Sequence, residues 1–161
     1  MEALLPQAEK IAALLKSRKE TVAIAESSTG GLLAAALLAV PGASAYFKGG
    51  AVLYTRKALF QLMSANEETV RGQVPSSEGY ALLKAQLARA HLDATWALSE
   101  TGVAGPTGNK YGYAPGHSCI AVSGRVERTR TVETGDSDRV RNMYAFAAAA
   151  LALFADVLAP K

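Results

Sequence analysis

The sequence predicts an α/β protein, a three-layer α/β/α sandwich around a mixed, mostly parallel sheet. Two patterns and the composition predict it. Short apolar runs alternate with stretches of helical periodicity along the chain, which implies strands covered on both faces by helices. Late in the chain, two such runs flank Gly124 and read as an antiparallel hairpin. Half of the 161 residues are hydrophobic and 19% are charged, enough apolar surface for a real core. The length suits a single domain over 1–161.

The elements follow in order. Residues 4–17 carry Leu4, Ala8, Ile11, Ala12 and Leu15 at helical spacing. TVAIA at 21–25 is a short buried strand. Thr29 is placed to cap a helix over 30–39, which Pro41-Gly42 stops. AVLY at 51–54 is a strand, and 55–63 a helix. Ser76 opens a helix to about His91, and TWALS at 95–99 is a strand. A long Gly- and Pro-rich loop occupies 102–116. The hairpin uses 118–123 and 129–133, and Asp136 and Asp138 open a final helix over 139–158. Its uncharged stretch, 144–155, is too short to span a bilayer and reads as a buried helix.

Several function classes drop out. One cysteine, Cys119, leaves no internal disulfide, and two histidines leave little for a zinc centre, so no metal is expected. His91 and His117 read as a helix-end and a loop residue. The N-terminus lacks the apolar core of a signal peptide, and a cytoplasmic protein without membrane contact is expected. Seventeen basic against fourteen acidic residues give +3, spread along the chain without aromatic interleaving, so nucleic acid is not an expected partner. Phosphate-loop and nucleophile-elbow signatures are absent.

Four segments could carry chemistry. AESSTGG at 25–31 joins a strand to a helix, where free amides attract anions and hydroxyls are at hand; the same residues also suit an ordinary helix cap. TGVAGPTG at 101–108 follows another strand, so the two loops, and with them Ser27 and Thr101, are expected at one sheet edge across a shared cleft. GGAVLY at 49–54 brings Tyr54 to a strand end, or into a core strand. Arg139 and Arg141, near the last helix start, could grip a phosphate or simply balance Asp136 and Asp138.

AESSTGG, PGASAYFKGGAVLY, TGVAGPTG and the late GD…VR together resemble the CinA C-terminal domain family over nearly the whole chain, in its stand-alone form. The family is associated with competence and DNA damage, and its active members are nicotinamide-nucleotide amidohydrolases. The resemblance implies the same sandwich and hydrolysis of nicotinamide mononucleotide to nicotinate mononucleotide and ammonia, in pyridine-nucleotide salvage. It implies no organic cofactor, and a homo-oligomer, a dimer or a multiple of it. The apolar final helix also suggests assembly. The alternative is a catalytically altered homologue that binds a nucleotide-like ligand or hydrolyses a different amide.

By resemblance, Ser27 is the nucleophile, helped by a lysine. That lysine falls five residues after the strand-end tyrosine, at Leu59 here; Lys57 is the nearest lysine in that stretch and is the expected base. Lys57 can reach the cleft from an extended chain, whereas a helix starting near Thr55 turns it to the face opposite Leu59. Lys48 and Lys110 are further candidates. The expected substrate-binding set is Thr29, Gly30, Gly31, Ser44, Gly50, Tyr54, Thr101, Gly102, Gly105 and Arg141, with the backbone after Thr101 as oxyanion donors and Arg141 on the phosphate.

Overall fold

A computed structural model describes residues 1–159; Pro160 and Lys161, the end of the expected domain, lie outside the described residues. Five strands, β1 (Val22–Glu26), β2 (Phe47–Val52), β3 (Trp96–Val103), β4 (His117–Ser123) and β5 (Arg128–Glu133), form one sheet in the order β2-β1-β3-β4-β5. β1 pairs in parallel with β2 and β3, while β3–β4 and β4–β5 are antiparallel. Only β4 is therefore reversed, as the expected mixed sheet requires.

Five helices cover the sheet: α1 (Leu5–Arg18), α2 (Leu32–Leu38), α3 (Arg56–Met63), α4 (Glu78–His91) and α5 (Arg139–Leu158). Period-2 alternation sends Val22, Ile24, Trp96, Leu98, Ile120 and Val122 to one face, under α1, α2 and α5. Ala23, Ala25, Ala97, Cys119 and Ala121 face the other way, under α3 and α4. The second face is built of small side chains, and α4 meets it with buried Ala81, Ala85 and Ala88. Small residues on both sides bring α4 close to the sheet, so its side chains reach the strand ends. The first face holds the bulk of the core, including Phe146 and Phe154 of α5, each contributing about 2–3 kcal/mol by burial.

α5 packs on α1, α2 and three strands with Phe146, Leu151, Phe154 and Leu158 fully buried. The expected buried helix is thus observed, and its apolarity is used within the chain; it gives no separate argument for assembly.

Several boundaries differ from the sequence reading. α4 starts at Glu78 with Ser77, not Ser76, as its N-cap, because the Ser77 side chain accepts from the Tyr80 amide, and His117 opens β4 instead of lying in a loop. α2 starts at Leu32 with Gly31 as its N-cap at φ +103°, not with Thr29, because the Thr29 side chain turns inward to two carboxylates. β2 covers 47–52, leaving Tyr54 beyond its end. β3 continues to Val103, because Thr101, Gly102 and Val103 pair with Cys119, Ser118 and His117.

Candidate functional site

β1 is the topological switch point: the chain crosses to β2 on one side and to β3 on the other. Ligand clefts in open α/β sheets form outside the carboxyl ends of such strands. β1 and β3 pair in register as far as Ala25 and Ser99. One residue further lie Glu26 and Glu100, and beyond them Ser27 and Thr101 open into a cleft of about 380 Å³. Its other walls are Tyr54, Thr55 and Arg56 after β2, Ser76 and Tyr80 at the start of α4, and Lys110 and Tyr111 from the 104–116 loop. An adjoining lobe of about 240 Å³ shares Tyr54 and Gly102 and is lined by Ser28, Gly105, Asn109 and Arg139. The size suits a small organic ligand, and the cationic side chains suit an anion.

Two buried carboxylates shape the 26–31 loop. Glu26 accepts from the Thr29 hydroxyl at 2.7 Å and from the amides of Gly31, Leu33 and Ala34 at 2.9, 3.1 and 2.9 Å. It occupies the amino end of α2, so the anion site expected there is filled by the protein's own carboxylate. Glu100 accepts from the Ser27 and Thr29 amides at 3.2 and 3.0 Å, from Ser118 Oγ at 2.9 Å, and from Ser28 Oγ. With its oxygens taken up by these donors, Glu100 anchors the loop. With the Gly30 amide on the Ser27 carbonyl, the Ser28 N–H is the one amide from 27 to 31 without an acceptor among the described residues.

Beneath both loops lies Lys84, fully buried on α4. Its Nζ donates to the Glu100 carbonyl at 2.9 Å and to the Glu26 carbonyl at 3.3 Å. Burial pushes its pKa down to about 8, against the pull of Glu100 and Glu26. The sequence held a signal for it: Lys84 is spaced three and four residues from Ala81 and Ala88 on the apolar face.

The structure brings Ser27, Tyr54, Thr101, Gly102 and Gly105 to the two lobes, and Ser27 and Thr101 share one sheet edge as expected. Lys110 joins them. The remaining expected residues lie elsewhere. Lys57 sits in the first turn of α3 and is exposed, whereas Leu59 is buried in the core; the helix turns the two to different sides, and Lys57 lines neither lobe. Ser44 is exposed just before β2 begins, at the opposite end of the sheet. Lys48 and Gly50 lie within the edge strand β2, where a Cβ on Gly50 would meet Ile24 at 3.0 Å; the glycine serves strand packing. Thr29 is buried and its hydroxyl is committed to Glu26 and Glu100. Gly30 and Gly31 shape the turn into α2, next to Met143 and Val52. Arg141 pairs with Asp136 at 3.1 Å and Asp138 at 3.5 Å and is largely exposed, so it balances acids as its neighbourhood suggested. Arg139, outside the expected substrate-binding set, lines the second lobe instead: its guanidinium donates to the Gly105 carbonyl at 2.6 Å and to Tyr54 Oη at 3.0 Å.

The family model of the CinA C-terminal domain matches residues 5–158. The chain belongs to the CinA C-terminal domain family. A CinA-like protein of Chloroherpeton thalassium is 37% identical over 158 residues, 96% of this chain and 38% of that protein. A CinA-like protein of Desulforapulum autotrophicum is 35% identical over 148 residues, 91% of this chain and 35% of that protein. The chain thus spans little more than a third of these relatives' length. Among solved structures, the competence/damage inducible protein CihA from Agrobacterium tumefaciens superposes with a TM-score of 0.87 at 29% identity, covering 96% of this chain and 94% of that one. A competence or damage-inducible protein from Enterobacter asburiae superposes with a TM-score of 0.89 at 26% identity, covering 97% and 98%. The CinA-type sandwich is therefore the fold of this chain, and its cleft lies where the family's sequence motifs meet.

Proposed function

We propose that this CinA-family chain binds a nicotinamide-mononucleotide-like ligand in the two-lobed cleft and hydrolyses its carboxamide slowly, through Ser27. Ser27 lines the first lobe. Attack of its hydroxyl oxygen on the amide carbon forms a C–O bond, and expulsion of ammonia breaks the C–N bond. Water then releases the carboxylate and restores the serine. The unpaired Ser28 N–H, on the residue after the nucleophile, is the donor available to the developing oxyanion. Arg139, anchored by Gly105 and Tyr54, is the cation available to the ligand phosphate.

The observation that carries the slow rate is the orientation of α3. It buries Leu59 and turns Lys57 to solvent, so no lysine of α3 stands beside Ser27 to take its proton. General base assistance contributes roughly 10²–10⁴-fold. A second reading, efficient amide hydrolysis, rests on Lys110, which lines the same lobe as Ser27.

The test is calorimetric binding of nicotinamide mononucleotide together with ammonia release, for wild type, Ser27→Ala and Lys110→Ala. Binding with turnover that is slow in wild type and lost in Ser27→Ala supports the first reading. Rapid turnover lost in Lys110→Ala supports the second. Absence of binding overturns both.

A further inference from the structure

The reaction proposed above makes no use of the charge buried beneath the cleft. Lys84 projects from the alanine face of α4 into the fork where β1 and β3 part company. Its two acceptors are the backbone carbonyls that immediately precede Ser27 and Thr101. The side chains of Glu26 and Glu100 hold the amides and hydroxyls of the 27–34 segment. One ammonium thus ties together both strand ends from which the cleft-lining residues emerge. A methionine of similar length would fill this space without the cost of burying a charge. A lysine here is therefore an expensive filler and is better explained by what its N–H groups and charge do.

We propose that Lys84 is the positioning residue of this cleft: it ties the Glu26 and Glu100 carbonyls together, sets Ser27 relative to Thr101, and supplies positive charge against the two carboxylates beneath an anionic ligand. The positioning claim stands on the geometry alone; the affinity claim rests on the reading that the cleft takes a nucleotide.

A proton equilibrium follows from the burial. As the pH rises through about 8, Lys84 becomes neutral. A neutral amine retains two N–H groups for the two carbonyls. The cluster of Lys84, Glu26 and Glu100 then passes from one net negative charge to two, and an anionic ligand binds less well. Other titratable groups on α4 and the elements packed against it are Glu78, Tyr80, Arg89 and His91 on α4 itself, His117 and Cys119 on β4, Arg128, Arg130 and Glu133 on β5, and Arg56 and Lys57 on α3, with Arg56 facing Tyr80. Burial raises the Cys119 thiol and the Tyr80 phenol, and hydrogen bonds from Thr129 and Thr131 lower Glu78. His117 lies between the Glu133 carboxylate and the Ser76 carbonyl, on the same face of β4 as Cys119 and at the strand's start.

The experiment is an NMR titration of the carbonyl carbons of Glu26 and Glu100 from pH 6.5 to pH 9.5, in wild type and Lys84→Met. Binding of nicotinamide mononucleotide is measured at both ends of the range. We expect a shared inflection near pH 8 in wild type that is lost in Lys84→Met. The variant should also show displaced signals at Ser27, Ser28 and Thr101. Wild-type affinity should fall roughly tenfold over the range, with a flat profile in the variant. If Lys84 merely stabilised the fold, Lys84→Met would lower the melting temperature and leave the pH profile of binding unchanged. Wild-type carbonyls without an inflection, or a folded variant with unmoved Ser27 and Thr101 signals, would overturn the proposal. If Lys84→Met does not fold, the wild-type titration decides by itself. If nicotinamide mononucleotide does not bind, the functional reading fails while the carbonyl titration still judges Lys84.

Discussion

Arg139, in the first turn of α5, donates to the phenol oxygen of Tyr54 at 3.0 Å, joining the end of the chain to the exit of β2 across the mouth of the cleft. Two elements more than eighty residues apart are thereby locked around one lobe. With Gly105 held by the same guanidinium, the arginine is oriented before any ligand arrives. Arg139→Ala is expected to weaken nicotinamide mononucleotide by roughly tenfold to a hundredfold, the loss of one charge-assisted contact. Arg141→Ala, which removes only exposed pairs with Asp136 and Asp138, should change affinity by less than about twofold. Titration calorimetry on the two variants separates them.

Ser27→Ala should abolish the residual ammonia release while leaving affinity within about threefold, since the change removes a nucleophile and little binding surface. Lys57→Ala should alter neither quantity, because Lys57 is exposed on α3 away from both lobes. A loss of turnover in Lys57→Ala would mean that α3 rearranges around the ligand.

Lys84 also makes a prediction about stability. Its folded-state pKa is depressed from 10.5 to about 8, chiefly by desolvation. The charged form is therefore disfavoured on folding. That cost is fully present below pH 8 and is relieved as the pH rises from about 8 towards 10.5. Relative to Lys84→Met, which does not titrate there, wild type should gain on the order of 2–3 kcal/mol between pH 7 and pH 10. Urea unfolding of both proteins at the two pH values measures the difference. A constant gap would show that Lys84 does not change its proton over this range.

Glu26 fills the amino end of α2 and faces the Lys84 cluster, so it couples the loop to the helix. Glu26→Ala leaves the Thr29 hydroxyl and the amides of Gly31, Leu33 and Ala34 without their acceptor, and Lys84 with one fewer counter-charge. The expected cost is about 3–5 kcal/mol in urea unfolding. Glu26→Gln keeps an acceptor and removes the charge, and should cost less. Equal losses would assign the effect to charge alone.

Periodicity determined much of this protein at the level of sequence. The apolar spacing of 4–17 and 139–158, the alternation in the strands and the Pro-Gly stop after 39 identified nearly every element, because these signals are local. The resemblance of its motifs identified the family and brought Ser27, Tyr54 and Thr101 to one sheet edge. Roles that depend on which side of an element a residue faces were decided by the tertiary structure. Arg139 and Arg141 are two residues apart, yet the helix aims one at Tyr54 and leaves the other with Asp136 and Asp138. Thr29 reads as a cap until Glu100, seventy-one residues away, draws its side chain inward. Ser44 lies within a motif but precedes its strand, which puts it at the wrong end of the sheet. Lys84 reads as one lysine in a helix until the alanine faces of α4 and the sheet come together and place its ammonium on two strand-end carbonyls. Local spacing selects helix or strand, but the partner of a buried polar group is chosen only when distant segments meet and water is excluded from between them.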